Sequence, residues 1–157
     1  MTARKSAEQD KIRRMKVFIQ NEASSFVKHS HDEKTLILKG AARVSRAYPF
    51  PYGFILDTTA EDGDNVDCFV LTQEKLRTGQ IVECEPIALM EQIEDGETDH
   101  NILAATGGED PLLTSELKQA LIEFVSHVFD HLPGKKIQVG EFRGGDAALQ
   151  HISKYQD

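Results

Sequence analysis

The chain has 157 residues, 39% of them hydrophobic and 28% charged, and a formal net charge of −8 at pH 7. That length supports one well-formed core rather than two, so a single folded domain over residues 1–157 is expected, far from the low-hydrophobicity composition of disordered chains. The acidic balance argues against nonspecific nucleic-acid binding, which needs clustered Lys and Arg. Apolar runs such as Phe54-Ile55-Leu56 are too short to cross a membrane, and the polar opening Met1-Thr2-Ala3-Arg4-Lys5-Ser6 holds no apolar signal segment, so a cytoplasmic protein is expected.

In chain order, residues 6–15 favour a short amphipathic helix with Ser6 or Thr2 as its cap. Short segments rich in Val, Ile and Phe then predict strands over Val17–Gln20, Leu36–Lys39, Val66–Leu71, Gln80–Glu85 and Ile87–Ile93. Asp62-Gly63 and Thr78-Gly79 supply the turns between them. From Leu117 to Leu132 apolar residues recur every three or four positions, which predicts a long helix started by Thr114 or Ser115 and stopped by Pro133-Gly134. Lys136–Phe142 reads as a further strand, and Asp146 as the cap of a last helix to about Tyr155. The architecture expected is α+β but mainly β, a small barrel flanked by helices. Cys68 and Cys84 lie in strand-like stretches without metal-type spacing and are expected as buried thiols.

The chemistry is concentrated in carboxylates. Asp62, Asp64 and Asp67 fall within six residues, and a second acidic run holds Glu91, Glu94, Asp95, Glu97 and Asp99. If such groups converge they need counter-cations, and all-oxygen donors suit Mg²⁺ or Mn²⁺. Spacing alone also fits a solvated Asp-Gly turn whose acids never meet. An EF-hand is excluded, because Asp67 stands where its glycine belongs and Gln73 where its bidentate glutamate belongs.

The pairing of Tyr48-Pro-Phe-Pro-Tyr-Gly-Phe-Ile55 with Asp62-Gly-Asp-Asn-Val-Asp67 resembles the soluble Family I inorganic pyrophosphatases, and the likeness runs from about Val17 to the last helix. The resemblance implies an OB-like five-stranded barrel and Mg²⁺-dependent hydrolysis of inorganic diphosphate to two phosphates, with Mn²⁺ as the alternative metal. It implies that Asp62, Asp67 and Asp99 hold the tightest metal, that Asp67 bridges to a second, and that Glu94 with Asp99 serves a substrate-associated one. Asp95 joins that metal set. Asp64 would be the general base, and Lys28, Tyr48 and Tyr52 would contact phosphate, the tyrosines otherwise being core. A homo-oligomer, commonly a hexamer in bacterial relatives, is also implied.

The departures are as informative. Ile19 or Gln20 stands where the family has an acid, Ser30 where it has a glutamate, Asn101 where it has a lysine, and Val128-Phe129 where a Tyr-Lys pair sits on the long helix. No arginine aligns before Tyr48, which leaves Lys39, Arg43 or Arg46 to replace it. His29, His31 and His100 flank the matched segments as substitute donors, as ligands of a softer metal such as Mn²⁺, or as partly exposed polar residues, and His127 and His131 read as surface positions. The thinned cationic side keeps two alternatives open: hydrolysis of another phosphoanhydride or phosphoester, and a noncatalytic metal-binding relative.

Overall fold

The computed structural model describes residues 14–157. In chain order they form β1 (Met15–Asn21), β2 (Val27–His31), β3 (Leu38–Arg43), β4 (Tyr52–Ile55), β5 (Asp67–Val70), β6 (Ile81–Glu94), β7 (Glu97–Thr98), β8 (Asn101–Thr106), α1 (Ser115–His127), β9 (Ile137–Arg143) and α2 (Gly145–Tyr155). Strands β1, β4, β5, β8 and β6 pair in that order, and β6 returns to β1, so five strands close into a barrel. Only the β5–β8 pair is parallel. This is the mainly β, OB-like architecture expected, with β2–β3 as a separate hairpin and β7 and β9 extending the far end of β6.

Several boundaries differ from the sequence reading for identifiable reasons. Gln80–Glu85 and Ile87–Ile93, expected as two strands, are one strand, β6, because the ladder to β8 shifts register between Pro86 and Ala88 and absorbs the proline in a bulge. Leu36 has φ 66° and lies in the turn before β3, not in a strand. The long helix ends at His127, so Val128 is its C-cap and Phe129 lies in the turns beyond. Its start is as expected: the Thr114 side chain accepts a hydrogen bond from Leu117 N. At α2 the N-cap is Gly144 and Asp146 sits in the first turn, where its charge complements the helix dipole without capping it. The expected helix over 6–15 falls almost wholly outside the described residues, and Met15 begins β1 instead.

Strand alternation divides the apolar residues into two clusters. Along β5 and β8, Cys68, Val70, Ile102 and Ala104 join Val17, Ile19, Cys84 and α2 residues Ala148 and Ile152 in one. Phe69 and Leu103 join Tyr48, Met90 and α1 residues Leu121, Phe124 and Val125 in the other. Both cysteines are buried and free, as expected of structural thiols.

The Tyr52-Gly53 step of the motif has a steric reason. A Cβ on Gly53 would fall 1.8 Å from the carbonyl oxygen of Phe18 and 2.8 Å from its carbon, both backbone atoms that cannot step aside. Gly53→Ala is therefore expected to cost about 3 kcal/mol or more, lowering Tm by roughly 6–12 °C in a thermal melt. An unchanged Tm would show that β1 and β4 are not so closely paired.

Candidate active site

A cleft of about 340 Å³ opens on the Tyr48–Phe69–Phe124 side of the barrel. Two bulges aim polar side chains into it. In β1, Ile19 pairs with Gly53 and Asn21 with Tyr52, leaving Gln20 as an extra residue. In β3, Lys39 is extra, because Gly40 pairs with Ser30 and Leu38 with His31. Gln20 and Lys39 both line the cleft.

The acids arrive from three places. Asp67 opens β5 on the same strand face as Phe69, and in the parallel ladder it lies beside Asn101. Asp62 and Asp64 stand on the preceding loop, where Gly63 takes φ 89° and the Asp62 carboxylate accepts from Asp64 N at 3.0 Å. Glu94 ends β6, and Asp99 is brought back beside it by the β6–β7 turn, its N–H donating to Gln92 O at 2.9 Å. Asp62, Asp64, Asp67, Glu94 and Asp99 all line the cleft.

Electrostatics records how close they are. Enclosure by protein raises the carboxyl group of Asp67 well above the ordinary range, and the nearby charge of Asp99, then of Glu33, adds to it. Asp99 is raised to about 6, first by burial and then by Glu94, and it shares a hydrogen bond with Asp67. A pair of carboxyl groups holding a proton between them is the arrangement expected when like charges are forced together. Among the described residues no three His, Cys, Asp or Glu side chains already surround one point closely enough to hold an ion. Several are tied to protein donors instead: Glu94 to Lys135, Asp62 to Asp64 N, and Glu33 to Asn65 N. The donor set, entirely carboxylate oxygens in a cleft that holds them together at electrostatic cost, fits a hard divalent cation.

The opposite wall is aromatic and cationic. Tyr48 packs 4.6 Å from Phe124 and 5.7 Å from Tyr52, ring centroid to centroid, so both tyrosines belong at once to the core and to the cleft. The Tyr48 oxygen accepts from Asn21 Nδ2 at 3.1 Å, a bond that does not use the phenolic proton. Lys28 lines the cleft with Nζ 4.9 Å from the centre of the Phe129 ring. Phe124, Val125, Val128, Phe129 and Ile137 make this side apolar.

Of the site residues singled out in the sequence, Asp95, Arg43 and Arg46 do not line the cleft, and neither do His29 and His100. Asp95, with φ 51°, accepts from Lys136 N at 2.9 Å, and the Arg43 guanidinium lies 5.1 Å from the Phe26 ring. Three participants escaped the sequence reading. Glu33 reaches the cleft three residues beyond Ser30, and burial raises its carboxyl group to about 7. Gln92 links two site positions, accepting from Asn101 Nδ2 at 2.8 Å and facing Asp99 Oδ2 at 3.5 Å. Lys135 contacts Glu94 at 2.9 Å. Only the spacing after Lys28 hinted at Glu33; for Gln92 and Lys135 the sequence holds no local signal.

His31 is buried rather than partly exposed, edge-on to Phe18 at 4.9 Å, and burial lowers its pKa, with the neighbouring His29 adding to it. Among the described residues, His31 Nδ1 and Asn101 Oδ1 are the buried side-chain atoms without a hydrogen-bond partner, and both residues line the cleft. His127, by contrast, is half exposed and pairs with Glu123 and Asp130 on the surface. No helix among the described residues is long and apolar enough to cross a membrane.

Comparison with known proteins gives one consistent picture. A family model described as inorganic pyrophosphatase matches residues 13–157. The inorganic pyrophosphatase of Aeropyrum pernix is 32% identical, over 88% of this chain and 85% of that protein. That of Nanoarchaeum equitans is 31% identical, over 89% of this chain and 94% of its own length. Among solved structures, an inorganic pyrophosphatase from Coxiella burnetii superposes with a TM-score of 0.83 at 25% identity, covering 92% of this chain and 94% of that one. An enzyme titled inorganic phosphatase from Anaplasma phagocytophilum gives the same TM-score at 25% identity, covering 91% of each chain.

Proposed function

We propose that this chain, which belongs to the inorganic pyrophosphatase family, hydrolyses inorganic diphosphate to two phosphates with Mg²⁺ or Mn²⁺ held in the acidic cleft. The observation that carries this reading is the convergence of Asp62, Asp64, Asp67, Glu94 and Asp99 on one cleft that also holds Lys28, Lys39, Tyr48 and Tyr52. When bound, the divalent cations screen the diphosphate oxygens from the protein's acids and acidify a water molecule.

In this reading Asp62, Asp67 and Asp99 would hold the tightest cation, with Asp67 also available to a second. Glu94 and Asp99 would serve a further, substrate-associated cation, and Glu33 would supply the carboxylate that position 30 lacks. Asp64 accepts the proton of the attacking water as the P–O–P bridge breaks, and the departing phosphate leaves on the side of Lys28, Tyr48 and Tyr52. Lys39, turned into the cleft by its bulge, is the cation we assign in place of the family's arginine, and Arg43 and Asp95 receive no direct role. The reading extends to action in the cytoplasm and to a homo-oligomer, the latter supported by exposed apolar side chains such as Ile37 and Leu38 on the hairpin.

The test is phosphate release from diphosphate with Mg²⁺, with Mn²⁺ and with excess chelator. Release with either metal that stops on chelation is expected. No release above the chelated control, at high enzyme concentration, removes the reading. The apolar wall of Val128, Phe129 and Ile137 favours one competitor, an organic diphosphate. Such substrates in the same assay would outrun inorganic diphosphate if that competitor is right.

A further inference from the structure

Lys135 is placed with more care than a surface lysine needs. It follows Gly134, which takes φ 83°, and the next residue is tied twice to Asp95: Lys136 N donates to Asp95 Oδ1 at 2.9 Å and Asp95 N donates to Lys136 O at 2.8 Å. With its backbone pinned there, Lys135 extends Nζ to 2.9 Å from Glu94 Oε1 and 3.9 Å from Asp95 Oδ2. The same ammonium lies 5.1 Å from the centre of the Phe129 ring, and Lys28 lies 4.9 Å from that ring. Two cations therefore attend one aromatic face-former at the edge of the cleft.

An ion pair whose side chains are still a quarter to a third exposed contributes little to folding, so stability does not explain this placement. Charge does. The cleft lining holds six carboxylates, Glu33, Asp62, Asp64, Asp67, Glu94 and Asp99, against the ammonium groups of Lys28 and Lys39. A diphosphate carries several negative charges of its own and needs more cationic contact than two lysines give.

Resting on the function proposed above, we propose that Lys135 is a substrate-binding residue whose ammonium exchanges partners. Glu94 holds it in place until a divalent cation takes that carboxylate, and the released ammonium then turns across Phe129 onto a phosphate oxygen opposite Lys28. One positive charge thus serves the acid when no cation does and serves the substrate when one arrives. Phe129 keeps the two lysines apart and near, which is a use for an aromatic side chain at this point of the cleft.

The experiment is calorimetric and uses the full chain: titration of orthophosphate in the presence of Mg²⁺, and of Mg²⁺ alone, into wild type, Lys135→Met and Lys135→Arg. Lys135→Met is expected to weaken phosphate binding by at least about tenfold, the worth of one charge-assisted hydrogen bond, with KM for diphosphate raised more than kcat is lowered. Binding of Mg²⁺ alone should be unchanged or tighter, since a competitor for Glu94 is gone, and Lys135→Arg should restore most of the phosphate affinity. Equal phosphate affinity in wild type and Lys135→Met, or weaker Mg²⁺ binding in the variant, overturns the exchange while leaving diphosphate hydrolysis standing. A wild-type protein that neither binds orthophosphate nor hydrolyses diphosphate removes the cleft's reading and this inference together.

Discussion

Asp67→Asn is expected to lower kcat/KM for diphosphate by roughly 10²–10⁴ and, in the same protein with chelator present, to raise the melting temperature at neutral pH. The two effects share a cause. Asp67 is enclosed among Tyr52, Asp99 and Glu33, and burial first and Asp99 second hold its carboxyl group well above the ordinary range. A charge kept there is destabilising until a divalent cation offsets it, so the residue exists for the cation rather than for the fold. Asparagine is nearly isosteric, donates and accepts hydrogen bonds, and brings no charge.

The direction with pH follows from proton counting. Over the window between the ordinary carboxylate range and the raised folded value, the native state keeps a proton that the unfolded chain releases, so native stability falls as pH rises. The asparagine variant lacks this loss. Its Tm should therefore exceed that of wild type by a few degrees near neutral pH, a difference of about 1 kcal/mol in a domain of this size, and the gap should close at acid pH, where both chains are neutral at position 67. Differential scanning at several pH values with chelator checks the sign. A variant less stable than wild type at neutral pH would mean that the charge of Asp67 is already compensated by protein groups, and the case for a cation there would fall.

What was legible in the sequence divides along physical lines. The acidic cleft was legible because its central residues sit in a local motif: Asp62, Asp64 and Asp67 share one loop and strand start, so six residues of sequence carry half of the clustered acids. Helix α1 was legible from its repeat, but its end was not. Val128, Phe129 and Leu132 continue the apolar spacing while the backbone has already turned, and Val128 O accepts instead from Ser45 N at 2.9 Å. Strand β8 went unread because all six of its residues are buried, so Asn101-Ile-Leu-Ala-Ala-Thr106 shows no alternation, the normal appearance of a strand covered on both faces. Glu33, Gln92 and Lys135 are products of tertiary approach: the hairpin, the β6 wall and the turn after α1 meet at the cleft only after the barrel closes. The bulges at Gln20 and Lys39 are equally silent, since a one-residue register shift leaves no mark on composition.

Asp64→Asn separates chemistry from cation binding in the same cleft. The loop that carries residue 64 is fixed by groups that the substitution leaves in place: Asp64 N donates to Asp62 Oδ1 at 3.0 Å, Asp64 O accepts from Ala60 N at 2.7 Å, and Gly63 supplies the positive φ between the two acids. Residue 64 is exposed at the cleft mouth, where an amide fits as well as a carboxylate. Folding and Mg²⁺ affinity should therefore stay within about twofold of wild type, the usual range for a surface change that removes no packed contact. An amide cannot accept a proton from the attacking water, so kcat is expected to fall by roughly 10²–10⁴, the span of general-base catalysis, with KM little altered. Steady-state kinetics beside Mg²⁺ calorimetry distinguishes the outcomes. A variant keeping a tenth or more of wild-type kcat would exclude Asp64 as the base and return that role to another cleft carboxylate, Glu33 first, because burial raises its carboxyl group to about 7. A variant that loses Mg²⁺ affinity along with turnover would make Asp64 a ligand, and the proton would have to leave by a different oxygen.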